Sequence, residues 1–227
     1  MCVLSHVLEA AGLATTALIS VRPVAEQMHP PRALYCHFPL GRPLGVPNDP
    51  AFQHGVLRHA FDLLARPSGP VLEDHPDVVE FSETPLACSL PPRFDPTVPE
   101  AVEEARALRD AYERAVRAHG GRTSVGRVTD AAGVPDVVAA FVAVAGGTPW
   151  DEAGLPGDPI QAAHDVRTYY EEAALDLVDV DPAPGAAEAW FYDVTAAGAA
   201  VLAARRAMQE AGVPFPFWFY MARGSRR

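Results

Sequence analysis

The segment from residue 33 to residue 50 constrains the fold of this chain more than any other. It opens with a short β-prone run, Ala33–Phe38, passes through a loop punctuated by proline and glycine, and ends at a helix start. Asn48 or Asp49 can cap that helix, and Pro50 suits its first turn. A strand, a stiff loop and a helix N-terminus in succession is how α/β proteins build ligand sites, so the sequence predicts a site here.

The elements around this segment predict an α/β fold for the N-terminal part of the chain. Val3–Ala11 has helical spacing, with Val3, Val7 and Leu8 on the predicted buried face, and Gly12 ends it. Further runs predict a strand at Ala14–Val21, a helix with a buried face from Phe52 to Leu64, and short strands at Val71–Leu72 and Val78–Phe81. Because the first strand is largely apolar, as in a sheet covered on both faces, we expect a small parallel sheet with flanking helices.

A proline-rich stretch, Pro85–Pro99, divides the chain by composition. It carries five prolines in fifteen residues and is typical of an extended linker. Beyond it the sequence turns to alanine, glutamate and arginine, which favour helices. We therefore predict an α/β domain at residues 1–95 and a mainly helical domain at residues 96–227. The predicted helices of the second domain are Pro99–His119, Val137–Ala145, Pro159–Leu177 and Ala186–Ala211.

Charge and composition exclude several classes of partner. The 227 residues carry a formal net charge of −11, which argues against nucleic acid and anionic membranes, because phosphate binding needs a basic face. The most apolar run, Val137–Gly146, is shorter than the roughly 20 residues of a membrane-spanning helix. No Lys or Arg precedes Arg22, so a basic secretory n-region is missing, and the three cysteines show no Cys-x-x-Cys spacing. We expect a cytoplasmic protein.

Cys2 is the first candidate catalytic residue. A thiol at a helix N-terminus feels the positive end of the helix dipole, which favours the thiolate. His6 follows four residues later on the same helical face, and as a cation it would strengthen that effect. The alternative interpretation is a terminal cysteine that stays in solvent and has no catalytic role.

Four more candidates lie at the end of the second predicted strand and in the loop that follows it. Cys36 and His37 are neighbours on a strand, so one is expected to face a cleft while the other packs in the core. His37 is a candidate catalytic base and Cys36 a candidate substrate contact, although a buried cysteine is often only a small hydrophobe. Arg42, in a rigid turn, and Asn48, at the helix start, are candidates to bind a substrate carboxylate. A surface arginine in a turn is the alternative for Arg42.

The predicted helical domain offers a further set of polar residues. One helix carries His164 and Asp165 with nearby tyrosines and glutamates, and the next carries an aromatic cluster. No Glu-x-x-His pair supports a di-metal carboxylate bundle, and the chain has no phosphate-binding loop, nucleophile elbow or His-Glu-x-x-His motif. We predict no metal site, and we favour a helix–helix seam for these residues over a catalytic cluster.

Two runs in the N-terminal part carry a family resemblance: Leu8–Thr15 before an apolar strand, and Phe38–Pro43 before the helix start. With them, about the first ninety residues resemble the B-component (selenoprotein B) family of the glycine, sarcosine, betaine and D-proline reductases. The resemblance implies a redox centre at Cys2 and reductive cleavage of a C–N bond within a multicomponent complex. Ser5 stands where a Cys-x-x-Cys pair would have its second thiol, so an external thiol would have to resolve an intermediate on Cys2.

These observations lead to three hypotheses. The first, which we prefer, is a thiol-dependent enzyme, reductase-like or cleaving a C–N or C–X bond, that acts on a small carboxylate-bearing metabolite with Cys2 as nucleophile. The second is a non-catalytic partner subunit or homo-oligomer that docks through its acidic surface and the aromatic run Phe215–Tyr220. The third is a cysteine-independent enzyme that uses His164, Asp165 and the neighbouring tyrosines and glutamates.

Overall fold

The structure is a computed structural model that describes residues 2–80, 82, 84–92, 95–179 and 182–223. The chain divides into two compact units, residues 1–81 and residues 82–227. The N-terminal unit contains a three-stranded parallel sheet with helices, and the C-terminal unit is built from helices. The predicted fold class is therefore confirmed.

Helices and strands alternate in the N-terminal unit. Its elements are α1 (Cys2–Ala10), β1 (Ala17–Ile19), α2 (Arg22–Met28), β2 (Arg32–His37), α3 (Pro50–Asp62) and β3 (Val71–Val78). The strand order is β1-β2-β3, with β2 in the centre and both pairs parallel. Helix α2 was not expected from the sequence. Strand β3 contains the first predicted short strand, Val71–Leu72, and ends at Val78, where the second was predicted to begin. The predicted end of that second strand, Phe81, lies outside the described residues.

The two faces of the sheet are covered by different helices, because alternate side chains of a strand point to opposite faces. On one face, Leu34 and Cys36 of β2 pack against α3 in a cluster that comprises Leu34, Cys36, Phe38, Val56, Ala60 and Leu63. On the other face, Ala33 packs with residues of α1, β1 and α2 in a cluster that comprises Cys2, Ala17, Ile19, Ala25 and Ala33. Cys2 and Cys36 thus lie on opposite faces of the sheet.

Helix α1 turns a different face inward from the one that its apolar spacing predicts. Val3 and Val7 are 60% and 59% exposed, whereas Cys2 and Ser5 are buried. The small side chains of Cys2 and Ser5 let the helix approach the sheet closely. An ion pair of 2.6 Å between Glu9 of α1 and Arg32 of β2 fixes the rotation of the helix about its axis. The predicted buried face was therefore wrong.

Helices α4 to α10 surround one apolar core in the C-terminal unit. Their bounds are α4 (Glu100–Ala107), α5 (Arg109–Ala118), α6 (Val134–Ala145), α7 (Pro159–Leu177), α8 (Ala186–Val194), α9 (Ala196–Glu210) and α10 (Phe215–Trp218), with a 3₁₀ turn at Phe219–Met221. Two predicted long helices are each split in two, at Leu108 and at Thr195. In the part of the chain that the structure describes, no helix combines the length and apolar character needed to cross a bilayer.

The proline-rich stretch belongs to the C-terminal unit. Leu86, Cys88, Leu90 and Val98 pack against the core of that unit, and the Leu86 N–H donates to the carbonyl of Ala186. Prolines lack an N–H donor, so the described parts of this stretch, residues 85–92 and 95–99, cover the helices as irregular chain. The compact units consequently divide near residue 81, whereas composition alone places the boundary near residue 95.

Candidate functional site

The carboxyl ends of the three parallel strands define the candidate site of the N-terminal unit. Ligands of open parallel sheets bind outside these ends. Four polar or aromatic residues meet here and form what we call the carboxyl-edge cluster: Arg22, Tyr35, His37 and Asp74. Residues two apart on a strand point to the same face, so Tyr35 points to the same face as Ala33, which packs with α1 and α2. Asp74 of β3 is paired with Tyr35 in the sheet, so the cluster lies on that face.

Arg22, the first residue of α2, is the centre of the carboxyl-edge cluster. Its guanidinium donates to Glu26, one turn later, at 2.9 Å and also to Asp74 of β3. The guanidinium carbon lies 5.3 Å from the centroid of the Tyr35 ring, which is a cation–π distance. Contacts from α2, β2 and β3 therefore hold this charge in place.

His37 extends the carboxyl-edge cluster towards solvent. Its ring centroid lies 6.3 Å from that of Tyr35, with 33° between the ring planes. The residue is exposed, and its carbonyl accepts the N–H of Val79 at 3.0 Å, which fixes the backbone where β2 ends. Solvent and small molecules can therefore reach His37 at the end of β2.

Cys2 lies on the same face of the sheet, at the N-terminal end of α1, where it is 7% exposed. The other end of α1 is fixed at the amino edge of the sheet, because Glu9 binds Arg32, the first residue of β2. A helix rises about 1.5 Å per residue, so seven residues separate Cys2 from Glu9 by about 10 Å along the axis. Cys2 belongs to the same buried cluster as Ala17 and Ile19 of β1. Ile19 and Tyr35 form the pair nearest the carboxyl edge in the β1–β2 ladder.

His6 joins α1 to α2. Its Nε2 lies 3.0 Å from the carbonyl oxygen of Met28, the last residue of α2, so this nitrogen donates a hydrogen bond to the backbone. The bond holds the two helices side by side. His6, predicted as a proton partner of Cys2, therefore makes a contact that positions the helix carrying Cys2.

Cys36, predicted as a substrate contact, lies inside the cluster under α3 and is 1% exposed. Burial raises the pKa of its thiol to about 11, so the thiol stays protonated at neutral pH. The structure does not bring Cys36 to the face of the sheet that carries Cys2 and His37. At 1% exposure it offers no surface that a substrate could reach.

The loop between β2 and α3 holds the other two predicted substrate contacts. Two backbone hydrogen bonds, of 3.0 and 2.9 Å, close the turn at Arg42, which is half-buried. Asn48 has a positive φ of 57°, and the following residue, Asp49, caps α3 by accepting the N–H of Phe52 at 3.0 Å. The capping carboxylate already binds the helix N-terminus, which was predicted to bind a substrate anion.

A pair of histidines lies on the α3 face of the sheet and was not predicted as a site. The rings of His59 in α3 and His75 in β3 have centroids 5.5 Å apart. The His75 side chain is only 5% exposed, and its Nδ1 accepts the N–H of Asp77 at 3.2 Å, which places the proton of the neutral ring on Nε2. Two phenylalanine rings also contact His75, so this pair packs α3 against β3. The available signal was the polar segment that contains His75, between the two predicted short strands.

Asp165 in the C-terminal unit is a fully buried carboxylate whose hydrogen bonds come from backbone N–H groups. It accepts four N–H groups at 2.9 to 3.3 Å, from Gly126, Arg127, Val128 and Thr129. Burial opposes ionisation, but these four donors outweigh it and lower the pKa of Asp165. Burial is also the main cause that lowers the pKa of the adjacent His164, followed by the charge of Arg127. Asp165 anchors a loop, which favours the structural interpretation of this set of residues.

Among the residues that the structure describes, no group of three or more His, Cys, Asp and Glu side chains could hold a metal ion. Comparison of the chain with family models, with curated proteins and with solved structures found no match. The functional interpretation therefore depends on the geometry of the chain itself.

Proposed function

We propose that the N-terminal unit is the catalytic part of a thiol-dependent enzyme that acts on a small carboxylate-bearing metabolite. The main support is that two features share one face of the sheet. These are the N-terminal end of α1, with Cys2, and the carboxyl-edge cluster, with Arg22, Tyr35 and His37. Both lie in the part of the chain that resembles the reductase B components, so the proposed chemistry is reductase-like.

Five residues of the N-terminal unit have a role in the proposed reaction. Cys2 is the nucleophile, and its sulfur attacks the substrate. His37 takes the thiol proton and returns it to the leaving group. Arg42 binds the substrate carboxylate, because Arg22 already pairs with two carboxylates and instead fixes the tyrosine ring. His6 keeps α1 in position.

The first covalent step is a nucleophilic displacement. The Cys2 sulfur donates an electron pair to the carbon beside the carboxylate, and the C–N or C–X bond breaks with its electrons on the leaving group, which takes the proton from His37. The reductant class is an external dithiol. One dithiol sulfur attacks the Cys2 sulfur and forms a mixed disulfide with it, and the bond between the Cys2 sulfur and the substrate carbon breaks. The carbon keeps the electron pair of that bond and takes a proton from a thiol. The second dithiol sulfur then releases the Cys2 thiol.

Two alkylating agents of similar shape test this function. Iodoacetate carries a carboxylate beside its C–I bond, whereas iodoacetamide carries a neutral amide. We expect Cys2 to prefer iodoacetate, because a guanidinium binds the carboxylate there. Cys88 should prefer iodoacetamide, because the net charge of −11 repels the anion. Peptide mass spectrometry after short equal exposures gives the rate ratio of the two reagents at each cysteine.

Arg42→Gln is the test variant, and Arg58→Gln, at an exposed position of α3, is its matched control. Loss of one hydrogen bond to a charged group should lower the iodoacetate-to-iodoacetamide ratio at Cys2 about tenfold in Arg42→Gln. The control should leave that ratio unchanged. Equal reagent ratios at Cys2 and Cys88 in the unmodified protein would exclude the proposed carboxylate site.

A second candidate function, self-association as a homo-oligomeric partner subunit, is supported by exposed apolar residues in and directly beside α1 and α2. We call this set of residues the α1–α2 surface, and it comprises Val3, Leu4, Val7, Leu13, Val21, Val24 and Met28. Exposed apolar surfaces of this kind mark interaction sites. The exposed positions of α1 carry no acidic side chain, since Glu9 points inward to Arg32. A second copy of this acidic chain can therefore approach there with little charge repulsion.

Val7→Glu tests self-association through the α1–α2 surface. Sedimentation velocity should show a concentration-dependent dimer for the unmodified protein and a monomer for Val7→Glu. Phe61→Glu is the matched control, because Phe61 is also 59% exposed but lies on α3, and this variant should retain the dimer. A monomer at every concentration in the unmodified protein would rule out the second function, while the labelling of Cys2 tests the first independently.

A further inference from the structure

A cavity in the C-terminal unit has no role in the proposed thiol chemistry. Its volume is about 840 Å³, and it lies between α9 and the segment formed by α10 and the 3₁₀ turn that follows. Its charged walls are Arg205, Arg206 and Glu210, and its aromatic walls are Phe215, Trp218 and Phe219. Sites for small molecules have volumes of roughly 300–1,000 Å³ and combine apolar walls with a few polar groups.

The aromatic wall offers ring surfaces in fixed positions. The rings of Phe215 and Phe219 stack with centroids 4.3 Å apart and 28° between their planes. Trp218 meets Phe215 edge-on at 5.4 Å, and its indole N–H donates to the carbonyl of Val213 at 3.0 Å. Phe215 remains about half exposed, so part of the stacked pair is open to a ligand. A flat aromatic group gains offset-stacking and edge contacts on such a wall.

The α9 wall carries positive charge. Arg205 is buried, and its guanidinium carbon lies 5.7 Å from the ring centroids of both Trp218 and Phe219. The adjacent Arg206 is exposed, and within the described part of the chain no ion pair involves it. Glu210, one helical turn later, is the acidic residue of this wall. Arg206 thus gives this wall an exposed guanidinium, although the chain as a whole is acidic.

We propose that this cavity binds a flat aromatic monoanion, an aryl group of one or two rings that bears a single carboxylate or sulfonate. The aryl ring stacks on Phe215 and Phe219, and the anionic group pairs with Arg206. The Arg206 guanidinium favours an anion, and the aromatic wall disfavours a small, fully hydrated anion such as free phosphate. Glu210 repels a second negative charge, so a monoanion is favoured over a dianion. This site is independent of the thiol chemistry of the N-terminal unit.

2-Naphthoate and its neutral analogue 2-naphthamide separate the charge from the stacking. Isothermal titration of the full chain should detect 2-naphthoate binding, with 2-naphthamide at least about tenfold weaker, the effect of one charge-assisted hydrogen bond. Equal affinities for the two compounds would overturn the proposal, because they would indicate only apolar partition. Failure of 2-naphthoate to bind at millimolar concentration would overturn it as well.

Three exposed charges give matched variants that leave the core intact. Arg206→Gln should weaken 2-naphthoate about tenfold and leave 2-naphthamide unchanged. Glu210→Gln should strengthen 2-naphthoate, because the competing carboxylate is gone. Arg117→Gln, at an exposed position of α5, should change neither affinity. Unchanged 2-naphthoate binding in Arg206→Gln would show that the ligand lies elsewhere and would refute the site.

Discussion

Asp165→Asn measures how far the loop at residues 126–129 depends on one carboxylate. In the protein, each of the two carboxylate oxygens accepts two backbone N–H groups of this loop. An asparagine keeps one acceptor oxygen and turns its NH₂ group, a donor, towards the other two N–H donors. The substitution therefore removes two of the four hydrogen bonds and leaves two N–H groups without an acceptor.

The expected destabilisation follows from these contacts. A hydrogen bond to a charged group contributes about 1.5–3 kcal/mol, so the loss of two amounts to roughly 3–6 kcal/mol. That is a large part of the roughly 5–15 kcal/mol by which domains are usually stable. Asp176→Asn is the matched control, because this carboxylate pairs with Arg114 at the surface, at 2.7 Å. Surface ion pairs contribute about 0–1 kcal/mol, so the control should be nearly neutral.

Urea unfolding followed by tryptophan fluorescence reports on the C-terminal unit, because Trp150, Trp190 and Trp218 all lie within it. The pKa of Asp165 is lower in the folded than in the unfolded protein, where it is about 3.9. Its ionised form therefore stabilises the fold above the unfolded-state pKa, and this contribution is lost as the pH falls through the folded-state pKa. The difference in the free energy of unfolding between the unmodified protein and Asp165→Asn should have its full value at pH 7 and should become smaller only below about pH 4.

Two results would refute this reasoning. A destabilisation below about 1 kcal/mol at pH 7 would mean that the loop does not depend on the carboxylate. A difference that stays constant from neutral to strongly acidic pH would mean that the ionised form contributes nothing.

Three further predictions concern packing, capping and thiol reactivity. Gly198→Ala should destabilise the C-terminal unit by more than about 2 kcal/mol in urea unfolding, because a Cβ there would lie 1.9 Å from the Phe191 carbonyl oxygen. Gly55→Ala, where the Cβ would have open space, should stabilise the N-terminal unit by about 0.5–1 kcal/mol. Glu104→Gln should lower the free energy of unfolding by about 1–3 kcal/mol. Both carboxylate oxygens accept N–H groups at the start of α9, at 3.0 and 3.1 Å, whereas the glutamine amide has only one acceptor oxygen. An unchanged melting temperature would contradict this role. Cys36 should react with Ellman's reagent only when the protein unfolds, because burial keeps its thiol inaccessible and raises its pKa to about 11; fast labelling of the native protein would contradict that placement.

Local signals predicted the elements that contain their own start and stop information. The β-prone run Ala33–Phe38 corresponds to β2, and the pair Asp49 and Pro50 begins α3 as expected. A capping side chain and a proline act within one turn, so the sequence alone specifies them. The fold class followed from these elements and from the change of composition after the proline-rich stretch.

Choices that depend on distant residues were not predictable in the same way. The apolar spacing of α1 favours Val3 and Val7 as its buried face, but the ion pair of Glu9 with Arg32 turns Cys2 and Ser5 inward. Twenty-three residues separate the two charges of that pair. Spacing within one helix identifies an apolar stripe, while the partner that covers it is set by tertiary structure.

Only part of the candidate site could be inferred from the sequence. His37 was found because it ends a recognisable strand, and Cys2 because it begins a recognisable helix. Arg22 and Asp74 meet only through the register of the sheet, across 52 residues. The available signal for Arg22 was its position directly after the first predicted strand, because ligands bind at the carboxyl ends of parallel strands. His37 has the same kind of position, at the end of the second predicted strand.

Carboxymethylation of Cys2 offers the most direct test of the central claim, that the N-terminal end of α1 meets the carboxyl edge of the sheet on one face. After reaction with iodoacetate labelled with ¹³C at its methylene, filtered nuclear Overhauser spectra identify the protons around the attached group. We predict cross-peaks from this methylene to the imidazole of His37 and the ring of Tyr35. Cross-peaks confined to the amino edge, at Thr15 and Arg32, would contradict the claim.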